Sequence, residues 1–145
     1  MQEVVMPDVS HSLEIAARPS AVWRWLETQE GLRRWMGADL EIELMVGGSY
    51  RMTGPDGTVI SGRVLELVPE GRLVLSWLEE GVGWQHPGRL VINLRPTEAG
   101  TEATLVHDGF AGIGTDGWRG TRDAYQRGIA KHRILEQLAA LVEEG

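Results

Sequence analysis

Cysteine is absent from the 145 residues. That excludes disulfides, thiolate nucleophiles and cysteine–zinc sites. Basic residues are scarce. Fourteen Lys and Arg stand against twenty-one Asp and Glu, for a formal charge of −7. Such a balance repels phosphate backbones, and Arg33-Arg34 is the only adjacent basic pair, so no nucleic-acid partner is expected. No apolar run approaches the roughly 18 residues that a membrane span needs. The N-terminal stretch MQEVVMPDVSHSLEI lacks the basic start and apolar centre of a signal peptide, which points to a cytoplasmic protein. Phenylalanine occurs once and tyrosine twice, whereas tryptophan occurs six times. Several indoles in so short a chain can shape a core or line a pocket, since each joins a large apolar body to one N–H donor.

What is present fits one soluble α+β domain covering residues 1–145. A chain of this size buries about 68–70% of its unfolded surface and needs no metal to complete a core. The stretch that organises the rest is the last one. From Thr115 to Glu143 the spacing predicts one long amphipathic helix, with Tyr125, Ile129, His132, Leu135, Leu138, Ala139 and Val142 on one face. Arg122, Gln126, Arg133, Gln137 and Glu144 are expected on the other. Such a helix needs a sheet to lie on.

The sheet is legible upstream. Residues 1–8 read as a lead-in and 12–17 as a first strand. Two short helices follow, at 21–27 after Pro19-Ser20 and at 29–36 before Gly37. Strands are expected at 39–46, 49–53, 58–68, 73–78, 90–95 and 101–110, with Gly62 as a candidate bulge. Gly47-Gly48, Pro55-Asp56-Gly57 and Pro69-Glu70-Gly71 supply tight turns, which join antiparallel neighbours.

Several of these stretches carry a resemblance. Ser20-Ala21-Val22-Trp23, Glu30 to Trp35, Val46 to Tyr50, Gly62 to Pro69 with Arg72 to Trp77, and Gly100-Thr101 through Leu105 to Phe110 occur in order over residues 11–110. Together they resemble the Hsp90-ATPase-activator-like (AHSA1-type) branch of the START-like (SRPBCC) superfamily. The resemblance implies a helix-grip fold. A curved antiparallel sheet of six to seven strands would wrap around the long C-terminal helix and leave a cavity between them. One departure is local: many members carry Gly-Trp inside that helix, and this chain has Gly128-Ile129.

Candidate chemistry is sparse. Gly112-Ile113-Gly114-Thr115-Asp116-Gly117 fits GxGxxG, but a dinucleotide site requires a parallel strand after the following helix, so the stretch reads as a hinge. His107 shares a strand face with Ala103 and Leu105, and His132 lies in the apolar stripe of the helix. They either face the cavity as polar contacts or proton donors, or are satisfied core histidines. His11, His86, His107 and His132 show no close ligand spacing, so no metal is expected. Trp35, Trp77 and Trp84 could line a pocket for an apolar or aromatic molecule, Trp84 as a lid, or could pack the core. No GxSxG elbow or nucleophile–base pair appears. Glu79-Glu80 and Glu143-Glu144 read as solvated.

The expected function is binding of a small hydrophobic or aromatic molecule in the cavity. Its wall would comprise Trp35, Trp77, Trp84, His107, Tyr125, Ile129 and His132, with no cofactor and no catalytic residue. Two other readings stay open. One is an enzyme of the cyclase, aromatase or dehydratase kind, which needs converging titratable groups. The other is a chaperone-associated interaction domain, which needs an exposed apolar patch. The chain is also compatible with a homodimer.

Overall fold

A computed structural model describes residues 8–144. The N-terminal lead-in therefore falls almost wholly outside the described residues. The elements are β1 (Val9–Ile15), α1 (Pro19–Trp23), α2 (Gln29–Arg33), β2 (Glu41–Ile42), β3 (Ser49–Thr53), β4 (Val59–Val68), β5 (Arg72–Glu79), β6 (Gly88–Thr97), β7 (Gly100–Asp108), α3 (Trp118–His132) and α4 (Ile134–Glu144), with a short 3-10 turn at Phe110–Gly112. One seven-stranded sheet runs in the order β1-β7-β6-β5-β4-β3-β2. Each neighbouring pair is antiparallel. This is the α+β helix-grip arrangement.

Alternation sets the concave face. Leu73, Leu75 and Trp77 of β5, Leu90, Ile92 and Leu94 of β6, and Ala103, Leu105 and His107 of β7 are all buried on it. Successive side chains of a strand point to opposite faces, so each run of odd or even positions commits as a set. Leu135, Leu138, Ala139 and Val142 of α4 pack on this face. At about 1.5–3 kcal/mol for each large apolar side chain removed from water, that contact is what seats the C-terminus. Pro19 opens α1, and the Thr28 hydroxyl caps α2 by accepting from the Gly31 N–H at 3.0 Å.

Five expectations are corrected. The C-terminal helix is not continuous: Arg133 adopts φ 51° and ends α3, after which α4 restarts at Ile134. Gln137 Nε2 donates to the His132 carbonyl at 2.8 Å, which satisfies a group the break leaves free. Arg122 does not lie opposite Tyr125 but shares its half-buried face, with only 17% of its side chain exposed. The strand expected over 39–46 pairs only at Glu41–Ile42, because Met45 to Gly48 folds into a turn with Gly48 N–H on the Met45 carbonyl.

The sheet's irregularity is not at Gly62 but between Val64 and Glu66, where Leu65 is the extra residue. Gly62 has another task, since a Cβ there would stand 2.1 Å from the Ser76 carbonyl oxygen. Tyr50, its partner across β3 and β4, reaches over it to donate to that same carbonyl at 2.5 Å. Finally, β7 stops at Asp108, and Phe110 is in the 3-10 turn, not the strand. No parallel strand follows α3 among the described residues, which removes the structural requirement of a dinucleotide site.

Candidate functional site: an aromatic cluster beneath α3

The C-terminal ends of β5 and β7 bring Trp77 and His107 onto the concave face. Gly88 stands opposite Trp77 and offers no side chain, so the His107 ring, paired with Leu90, reaches the indole diagonally. Their centroids are 4.7 Å apart in an edge-on arrangement. Phe110 closes one side, 6.1 Å from His107. Trp84 comes from the β5–β6 loop and meets Phe110 at 6.3 Å. Tyr125 descends from α3 among them, 4.9 Å from His107 and 5.2 Å from Phe110.

A hydrogen-bonded chain crosses this cluster. Trp77 Nε1–H donates to Tyr125 Oη at 2.8 Å, and Tyr125 Oη–H donates to Glu79 Oε2 at 2.6 Å. Burial raises the Tyr125 phenol above its ordinary range, and the Glu79 carboxylate adds to the effect. Burial pushes His107 down to about 4, against the opposing pull of Asp108 and of a hydrogen bond with the Arg89 backbone. At neutral pH the cluster therefore holds a neutral imidazole and a neutral phenol.

The expected site residues divide. Trp77, Trp84, His107 and Tyr125 come together. Ile129 packs half-buried against the same core one turn further along α3. His132 sits half-buried at the end of α3, on the side of Asp56, whose carboxyl is lowered mainly by the Thr58 backbone N–H. Trp35 is not in the cluster. It is buried under α1 and α2, with its indole N–H on the Trp25 carbonyl at 2.9 Å. Beside Tyr125, where the cavity is expected, the rings of His107, Phe110 and Trp77 stand 4.9, 5.2 and 6.3 Å from the tyrosine ring. A recess of about 360 Å³ lies elsewhere, lined by Ser20, Trp23, Glu27, Leu44, Leu67, Pro69 and Glu70.

Two residues of the site are not in the sequence-based set. Glu79, read as solvated, shares strand parity with Trp77 and so faces Tyr125. Its alternation with Trp77 was the available signal. Phe110, the sole phenylalanine, is fully buried. Arg122 lies one turn before Tyr125, and its buried Nε has no hydrogen-bond partner among the described residues. Among those residues no group of three or more His, Asp or Glu is placed to hold a metal, and no helix is long and apolar enough to cross a membrane.

α3 itself is loosely seated. None of its residues is fully buried. Its N-terminal approach runs through Gly112, Gly114 and Gly117, tied down where Gln85 and His86 donate backbone N–H groups to the Ile113 carbonyl at 2.7 and 3.2 Å. Its far end is the left-handed Arg133.

Sheet, split grip helix and the cluster between them define a START-like domain of the helix-grip class. Residues 16–143 match the family described as Activator of Hsp90 ATPase homolog 1-like protein, and the chain belongs to that family. A protein of Mesorhizobium loti is similar over 94% of this chain and 97% of its own, with 20% identity and a TM-score of 0.78. The Aha1 dimer of Colwellia psychrerythraea aligns over 87% and 92%, with 18% identity and a TM-score of 0.65. DynU16, a protein in the dynemicin biosynthetic locus, aligns over 96% of this chain but 48% of its own, with 19% identity and a TM-score of 0.73. At these identities the likeness is one of fold. No curated protein matches the chain.

Proposed function

We propose that this domain binds a small, largely apolar aromatic molecule between α3 and the concave face of the sheet. The wall would be Trp77, Trp84, His107 and Phe110, with Tyr125, Ile129 and His132 on the covering helix α3. One observation carries the reading. A set of rings built on the sheet is covered by a helix none of whose residues is fully buried. A pure core would be closed by an apolar helix face, as α4 closes its own. Small-molecule sites combine apolar and aromatic walls with a few polar groups, and the Trp77–Tyr125–Glu79 chain supplies those groups. Native mass spectrometry of freshly purified protein tests the reading. A reproducible small-molecule adduct, lost in a Trp77→Ala variant that still folds, is the expected result.

A second reading is favoured by one contact. An enzyme needs titratable groups that converge, and Tyr125 and Glu79 do so through a hydrogen bond at 2.6 Å. In that reading Glu79 would accept a proton through Tyr125. The raised phenol pKa and the neutral His107 weigh against rapid proton abstraction at neutral pH. Incubating the identified ligand with protein and finding a product of altered mass would favour the enzyme.

A further inference from the structure

Tyr125 is held the way a ligand would be held. Its phenol oxygen accepts from Trp77 Nε1 at 2.8 Å and donates to Glu79 Oε2 at 2.6 Å. Its ring lies 4.9 Å from His107, 5.2 Å from Phe110, 6.3 Å from Trp77 and 6.5 Å from Trp84. Each of those partners belongs to the sheet, to the loop between β5 and β6, or to the turn after β7. Tyr125 alone comes from α3. The cage is thus complete without α3, and α3 inserts one aromatic hydroxyl into it.

We propose that Tyr125 is an internal occupant of the binding site, and that the ligand displacing it is a small hydroxylated aromatic, a phenol. The proposal rests on the binding function above and names its ligand class. The chemistry follows from what Tyr125 leaves behind. Lifting it out uncovers one N–H donor and one carboxylate acceptor, set to meet a single oxygen. A hydrocarbon of the same shape leaves both unpaired, which is costly in a partly buried place. A carboxylate ligand would face Glu79 with like charge. An amine could donate to Glu79, yet in its charged form it has nothing to accept the Trp77 N–H. An aromatic hydroxyl donates to Glu79, accepts from Trp77 and fills the ring cage. The neutral imidazole of His107 leaves the ring face free of a competing cation.

The hinges for such an exchange are on the chain. Beyond the anchored Ile113, α3 is preceded by Gly114 and Gly117 and followed by the left-handed Arg133, while α4 stays anchored through its four buried apolar residues. A ligand must outcompete the tethered Tyr125, so weakening Tyr125's own hold raises the apparent affinity for a phenol.

The test uses p-cresol, which is the tyrosine side chain without its backbone, and toluene, the same ring and methyl without the hydroxyl. Binding is followed by NMR through the indole N–H resonance of Trp77. Wild type is expected to bind p-cresol about tenfold or more tightly than toluene, with the Trp77 resonance shifting. Tyr125→Phe keeps the ring but releases Trp77 and Glu79, and should bind p-cresol several-fold more tightly than wild type. Glu79→Ala should bring p-cresol to within about twofold of toluene. Amide spectra of each variant establish that it is folded. A structural tyrosine would resist displacement, so a wild-type protein that takes toluene and p-cresol equally, or whose Trp77 resonance stays still with p-cresol bound, overturns the phenol class and leaves the binding function standing. A protein that binds neither probe, and carries no adduct in native mass spectrometry, overturns both.

Discussion

His11 Nε2 on β1 lies 2.9 Å from Glu136 Oε1 on the first turn of α4. Burial works against the Glu136 charge, but the hydrogen bonds from His11 and Arg133 win and lower its pKa. A carboxyl lowered on folding stabilises above its unfolded pKa and loses that contribution as pH falls through its folded value. Glu136→Gln should therefore cost about 0.5–1 kcal/mol at neutral pH, the upper range for a partly exposed pair, and nothing in acid once the carboxyl is protonated. Urea denaturation of both proteins at the two pH values measures it.

His107 makes the opposite kind of statement. The unfolded imidazole takes up a proton near 6.5, whereas the folded one resists until about 4. Between those values the unfolded state binds more protons, so stability falls as pH drops through that window and levels below it. The loss should be on the order of 3 kcal/mol. In His107→Gln this part of the pH dependence should be missing, as read from denaturation midpoints between pH 7 and 4.

Gly62 tolerates no side chain. With a Cβ placed 2.1 Å from the Ser76 carbonyl oxygen, β4 and β5 must separate where Tyr50 also bonds. Gly62→Ala should lose about 3 kcal/mol or more, read as a large fall in thermal midpoint.

The two halves of the C-terminal helix should respond differently to charge. Leu135 is 1% exposed, so Leu135→Asp buries an unpaired carboxylate and should cost more than about 3 kcal/mol. Arg133 is exposed and left-handed, a conformation Asp adopts readily, so Arg133→Asp should stay within about 1 kcal/mol. Paired thermal melts check both.

The strands were legible because alternation is a direct consequence of pleating. Leu73, Leu75 and Trp77 declare one face with no knowledge of the partner strand. The break at Arg133 was not legible. Neither glycine nor proline marks it, and the apolar spacing continues across it from Ile129 through Leu135. Arg122 and Glu79 were misplaced for a shared reason, since charge suggests solvent. Arg122 keeps only 17% of its side chain exposed while its head pairs with Asp123. Glu79 turns inward with its strand. The cluster's makeup was half legible. Trp77, Trp84, His107 and Tyr125 could be named, but Phe110 enters through a turn whose geometry depends on Gly109, and Trp35 is drawn away by the Trp25 carbonyl.

Five of the six tryptophans, all but Trp118 of α3, provide the most direct test of the central claim, that small aromatics bind beneath α3. Indole N–H resonances can be assigned by single Trp→Phe variants and then followed while p-cresol or toluene is added. The account predicts that Trp77 and Trp84 shift with a common saturation curve while Trp23, Trp25 and Trp35 hold still. Saturable shifts at Trp23, which lines the recess beside α1, with Trp77 and Trp84 unmoved, would contradict it.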